Sequence, residues 1–463
     1  MLISTKPTPA LTNKVPDEDG FPEQERVWME ISQSIKRIVA RGKGLVIISL
    51  VFCALILSTF ALSAFHNDAN DATTTEQLLS WPHFRGPGAI GRAVHANPPL
   101  TWSVKEGKNI IWKVKIPKPG MNSPLVWRNR LFLTGADESS RQIFCFETDT
   151  GKLLWQHHGD GIPGSPSKDE LPNVMETSGL AAPTATTNGR YVAAIFATGD
   201  LVCLNMEGKR IWAKNLGIPQ NPYGHASSLI SHKNLLFVQY DQKEDSKLMA
   251  FDLASGNLVW QANRGGISWS SLILIDNNGR MELILTNCKA VDSYDPSTGK
   301  ILWNMKGLRG DVAPSAAYAD GVVYVANEYS AAFAIKIGSR GFEPKLLWQW
   351  ADVLPDVASP LANGDYLILP SGYGIVDCLN AKTGKVLWEH EFDKGFYSSP
   401  ILVNDRVYII DRSGVMQVFK MDAKFELLGT SEIGEPANAT PAFVGDRIYI
   451  RGETHLFCIG EQK

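Results

Sequence analysis

One ten-residue phrase ending in tryptophan recurs along this chain and constrains the fold more than any other feature. It spans Phe146 to Trp155, Phe251 to Trp260, Tyr294 to Trp303 and Leu379 to Trp388, with a Gly four residues before each Trp. Degenerate copies end at Trp112, Trp212 and Trp348. Self-similarity at roughly 40 to 50 residues implies a solenoid or a propeller. Each repeat reads as four short strands. In the first, Ser123 to Trp127 is a small-residue strand, Arg128-Asn129 a turn, and Arg130 to Thr134 alternates apolar and polar. After the loop Asp137 to Arg141, Ile143 to Phe146 is the third strand. Asp149-Thr150-Gly151 is a tight turn in which Gly tolerates positive φ, and Lys152 to Trp155 is the fourth strand.

The first-strand signal recurs around Pro124, Pro183, Ser228, Ser271, Pro314, Pro360, Pro400 and Pro441, giving eight starts. Only seven fourth strands follow them, the last being Leu427-Leu428-Gly429 without tryptophan. Ile110 to Val114, ahead of the first start, is left over and supplies the eighth. Pairing it with the C-terminal strands closes the ring and removes an open sheet edge. The chain is therefore expected to be all-β: an eight-bladed β-propeller with a clasp of N- and C-terminal strands. The repeated tryptophans are expected to pack between neighbouring blades.

Gly44 to Phe65 is an uncharged run of 22 residues, long enough to span a bilayer as a single helix. Lys36, Arg37, Arg41 and Lys43 precede it, and Asp68 and Asp71 follow, so the positive-inside rule puts residues 1–43 in the cytoplasm. Residues 44–65 read as an uncleaved transmembrane anchor, 66–80 as a linker and 81–463 as a propeller in the periplasm or otherwise outside the cytoplasm. Leu50-Val51-Phe52-Cys53 is a poor lipoprotein box because Phe52 is bulky and the apolar run continues past Cys53. The net charge of −3 leaves no basic stripe for nucleic acid. Of six cysteines, Cys145, Cys203, Cys378 and Cys458 share one position of the third strand, in different blades. They read as small buried free thiols rather than as disulfides.

Loops entering the innermost strands and loops joining the second and third strands emerge on one face. The first set carries Asn122, Glu176, His225, Trp269, Arg309, Asp311, Asp356, Tyr397 and Asn438; the second carries Asp137, Asp200, Asp241, Glu328, Tyr373, Asp411, Arg412 and Glu453. Carboxylates and aromatics converging at a mouth suit a polar ligand or a partner. His157-His158 reads as solvated inter-blade loop, and Asp276 to Gly279 as a hairpin turn rather than a calcium loop.

The repeat resembles that of the pyrroloquinoline quinone (PQQ) propeller family. Trp81 to Pro87, Tyr223 to Ser227, and Arg264 followed by Trp269 resemble motifs of its PQQ-binding-like bacterial members. The resemblance covers about 81–463 and implies the fold; function is a separate question. Its quinoprotein dehydrogenases would imply PQQ with calcium over Trp269, with Arg309 as a quinone-oxygen partner and His225, Tyr397 and Asn438 nearby. Glu176, Asp311 or Asp356 would then be the base or a calcium ligand. The adjacent cysteine pair of those enzymes is missing. The other branch resembles the propeller lipoprotein of the outer-membrane barrel-assembly machine, which grips partners with its loops. The preferred expectation is a membrane-anchored, non-catalytic binding or scaffolding module for protein or cell-envelope partners. A PQQ-dependent oxidoreductase of alcohols or sugars is the alternative, and a hydrolase or lyase at the mouth a third.

Overall fold

The computed structural model describes residues 80–461, apart from residues 95 and 339–342. Gly44 to Phe65, the expected anchor, lies outside the described residues, and among those no helix is long and apolar enough to cross a membrane. The expected ring is present, with eight sheets whose four-stranded antiparallel parts are the eight blades. Blade 1 consists of Leu125–Trp127, Arg130–Ala136, Arg141–Glu147 and Leu153–His158, counted from the channel outward. Blade 8 takes Ala442–Val444, Arg447–Arg451 and His455–Ile459 from the C-terminus and Ile110–Lys115 from the N-terminal side. The clasp thus forms as the leftover strand required.

The inner strands are apolar on both faces, successive side chains turning to opposite neighbouring blades, and the sheets pack face to face. The core consequently lies between blades: Leu125 and Phe132 of blade 1 share a cluster with Val192 and Val202 of blade 2. The repeated phrase is the seam of that packing. The Trp112 indole Nε1 donates to Thr148 O of the next blade (2.9 Å), and Trp155, Trp212, Trp260, Trp348 and Trp388 make the same step to Met206, Leu253, Pro296, Ala381 and Asp422. The turn glycine faces the indole of the preceding blade. A Cβ on Gly151 or Gly256 would lie within 2.8 Å of Trp112 or Trp212, and both glycines have φ of 71°. Trp303 differs, donating to Glu282 Oε2 within its own blade. Cys145, Cys203, Cys378 and Cys458 each oppose one of these tryptophans in the ladder, buried and unbridged. Burial pushes their thiols up to about 12.

Two details depart from the sequence reading. His157 and His158 end the fourth strand of blade 1 instead of lying in a loop. Residues 80–93 are a channel segment rather than a mere approach to the clasp. Ser80–Trp81 pairs with the innermost strand of blade 1, and Arg92–Ala93 with that of blade 7. Between them, Pro82 O accepts from Thr187 N of blade 2, and Gly88 abuts Leu274 O of blade 4. The fully buried Arg85 donates to Ala316 O (3.1 Å) and Pro360 O (2.6 Å) of blades 5 and 6. Trp81 meets Phe443 of blade 8. Such a path needs tight backbone, and Arg85 and Ala89 have positive φ beside Gly86, Gly88 and Gly91.

Candidate functional site

The innermost strands begin with a hydroxyl residue in every blade, and these residues link the ring. Ser123 N donates to Thr184 Oγ1 (2.9 Å), Thr184 N to Ser228 Oγ (3.1 Å), and Ser228 N to Ser271 Oγ (2.9 Å). The series continues through Ser315, Ser359 and Ser399 to Thr440 at 2.8–3.0 Å. Each bond satisfies a strand-start amide that has no ladder partner. Above this ring opens a cavity of about 370 Å³, lined by all eight hydroxyl residues and by Phe84 of the channel segment.

The structure brings Trp269, Asp311, Asp356, Tyr397 and Asn438 into the wall of this cavity, together with Glu328, Tyr329 and Tyr223. Trp269 donates to Asn221 Oδ1 (2.5 Å) and meets Tyr223 edge-on, with ring centroids 4.5 Å apart. Arg412 stacks over Tyr397, its Cζ 4.3 Å from the ring centroid. Asp356 accepts from Gly372 N (2.8 Å). Burial, opposed by backbone donors and reinforced by Glu328, leaves its carboxyl above the usual range. Tyr373 O–H donates to Glu328 Oε1 (2.8 Å), a bond that with the neighbouring charge raises the phenol. Tyr329 and Tyr373 stand 67% and 68% exposed at the rim.

Other expected residues sit elsewhere. His225 is buried edge-on to Tyr240, and burial lowers it to about 3, so it is a neutral packing group. Glu176 and Arg309 are exposed and outside the cavity lining. Asn122 is buried, accepting from Arg451 Nη1 (2.7 Å) and so latching blade 8 to blade 1. Asp241 and Asp200 are held in buried ion pairs by Arg264 (2.9 Å) and Arg141 (2.8 Å). The hydroxyl ring and the channel segment were missed in the sequence. Their signals were one Ser or Thr at each first-strand start, and the Gly-rich run 86–91.

PQQ is a planar tricarboxylate. The lining presents Asp311, Glu328 and Asp356 and, among the described residues, neither Lys nor Arg. No group of three or more His, Cys, Asp or Glu among the described residues could hold a metal ion. The residues present therefore do not fit an anionic quinone with calcium.

A family model described as outer membrane protein assembly factor BamB matches residues 93–263 and 344–453. The BamB of Shewanella oneidensis is 22% identical over 306 residues, covering 63% of this chain and 69% of its own length. That of Moranella endobia is 22% identical over 234 residues, 47% of this chain and 58% of its own. That of Salmonella typhimurium is 23% identical over 283 residues, 58% and 71%. Among solved structures, BamB from Moraxella catarrhalis aligns with a TM-score of 0.56 at 14% identity, over 76% of this chain and 97% of that one. A quinohemoprotein alcohol dehydrogenase from Comamonas testosteroni aligns at 0.62 and 13%, over 84% and 82%. These structural likenesses concern the fold alone.

Proposed function

The chain belongs to the outer membrane protein assembly factor BamB family, and from that premise we propose that it is a non-catalytic scaffold of the cell envelope that grips protein partners with its mouth. One observation carries this reading: a ring fastened at both ends and filled by its own channel segment presents a fixed mouth with exposed Tyr329 and Tyr373 around Glu328. Exposed aromatics on a rigid frame are efficient contact residues because few rotamers are lost on binding. Residues 44–65 would tether the propeller outside the cytoplasm, with residues 1–43 inside. The names of the relatives support an outer-membrane assembly partner.

The test is co-purification of the full chain from native membranes, comparing wild type with the double variant Tyr329→Ala, Tyr373→Ala. Outer-membrane assembly proteins should accompany the wild type and be depleted at least about tenfold with the variant. Undiminished recovery with the variant would place the contact elsewhere. Dye reduction that appears on adding PQQ and calcium would instead restore the oxidoreductase.

A further inference from the structure

The repeat allows one charge constellation to be compared with its own copy. In blades 3 and 4, Arg264 lies four residues after Trp260 and is buried between two carboxylates. Its Nε is 2.9 Å from Asp241 Oδ1 and its Nη1 is 3.3 Å from Asp292 Oδ2. Asp241 lies four residues after Phe237, which opposes Ala250 in the ladder, and Ala250 opposes Trp260. Asp292 opposes Asn304, next to the Ser293 and Trp303 pair.

Counting along the repeat in blades 5 and 6 meets an acid at every corresponding position. Tyr324 opposes Ala334 and Ala334 opposes Trp348, so Glu328 falls at the same residue count as Asp241 and Asp352 at that of Arg264, both in loops past the end of the ladder, with Glu328 half-buried and Asp352 exposed. Asp377 opposes Glu389, next to the Cys378 and Trp388 pair, so these two stand where Asp292 and Asn304 do. Among the described residues, Glu328, Asp352, Asp377 and Glu389 form no ion pair, whereas Asp241 and Asp292 of blades 3 and 4 share Arg264. Asp377 is only 1% exposed and its Oδ2 is buried without a hydrogen-bond partner. Burial, then Glu389 and Asp352, push its carboxyl up to about 7. Glu328 continues this acidic sector into the cavity wall beside Asp311 and Asp356. Beside this sector, Lys394 of the connection leaving blade 6 and Arg412 line a separate depression with Asn438.

We propose that the mouth above blades 5 and 6 receives a basic segment of a protein partner, whose lysine or arginine supplies the positive charge that Arg264 supplies inside blades 3 and 4. This rests on the scaffold reading and adds to it the chemistry of the partner and the sector it occupies. Charge complementarity selects the occupant: an acidic sector whose buried member has no internal counter-charge favours a cation and repels an anionic strand or lipid. The exposed Tyr329 and Tyr373 add aromatic faces suited to a guanidinium or ammonium group.

The experiment titrates the full chain in detergent with a hexa-arginine peptide, with hexa-glutamate and spermidine as parallel probes, by calorimetry. Hexa-arginine should bind saturably, at least about tenfold tighter than spermidine, and weaken with salt. Asp352→Arg restores the charge order of blades 3 and 4; it should reduce peptide affinity at least about tenfold while raising Tm. Asp352→Asn, a gentler change, should weaken binding less. Asp365→Asn, which removes a surface partner of Lys382, should leave binding unchanged. Absence of peptide binding, equal binding by Asp352→Arg, or spermidine binding as tightly as the peptide would each overturn the proposal. Co-purification of an envelope partner that survives Asp352→Arg would sink this inference while leaving the scaffold reading intact.

Discussion

At the scale of single residues, two kinds of position organise the molecule. The first joins blades: a tryptophan whose indole N–H reaches the next blade, and a glycine whose missing Cβ gives that indole its seat. The second carries charge without compensation, and Asp377 is its clearest case. A carboxyl raised from 3.8 to about 7 in the folded chain binds more protons than in the unfolded chain between those values. The contribution of Asp377 to folding stability is therefore full below about pH 4 and declines as pH rises towards 7. Asp377→Asn, which cannot ionise, should be more stable than wild type at pH 8 by about 1–3 kcal/mol, the usual cost of an unpaired buried polar group. Melting curves from pH 4 to 8 check this: the two proteins should converge at low pH and separate at high pH. Parallel curves would mean that Asp377 is neutralised in some other way. The tryptophan and glycine positions were legible in the sequence because they repeat. Asp377 was not, since its environment depends on residues contributed by blade 5 and by the fourth strand of its own blade.

At the scale of elements, the clasp and the channel segment share the work of closing the ring. The strand Ile110–Lys115 was legible by counting, because eight first strands met seven fourth strands. Residues 80–93 were not, because nothing periodic marks a segment that crosses the channel instead of joining a blade outwardly. Arg85 is its deepest anchor, bonded to two blades' carbonyls with no ion-pair partner among the described residues, and burial lowers it to about 9. Arg85→Ala should leave those carbonyls unsatisfied and open a void, costing about 2–4 kcal/mol. Denaturant melts would measure the loss, and hydrogen exchange should rise at the starts of blades 5 and 6. A change below about 1 kcal/mol would contradict an anchoring role for this side chain.

At the scale of the whole molecule, a closed ring with a filled channel leaves the mouth as the face where chemistry concentrates. The sequence placed Asp311, Asp356, Trp269, Tyr397 and Asn438 there through the alternation of loops between the two faces. It misplaced His225, Glu176 and Arg309 relative to the cavity because strand register says which loop a residue occupies, and packing decides whether its side chain turns inward. On the proposed scaffold reading, the acidic, aromatic mouth would be the gripping surface. The most direct measurement is site-specific photo-crosslinking of the full chain in native membranes, with the probe at Tyr373 or Glu328 on the mouth and at Val259 or Ile301 on the outer rim. The account predicts an envelope protein crosslinked from the mouth positions, at a lysine- or arginine-rich segment, and little from the rim. Crosslinks confined to the rim would contradict it.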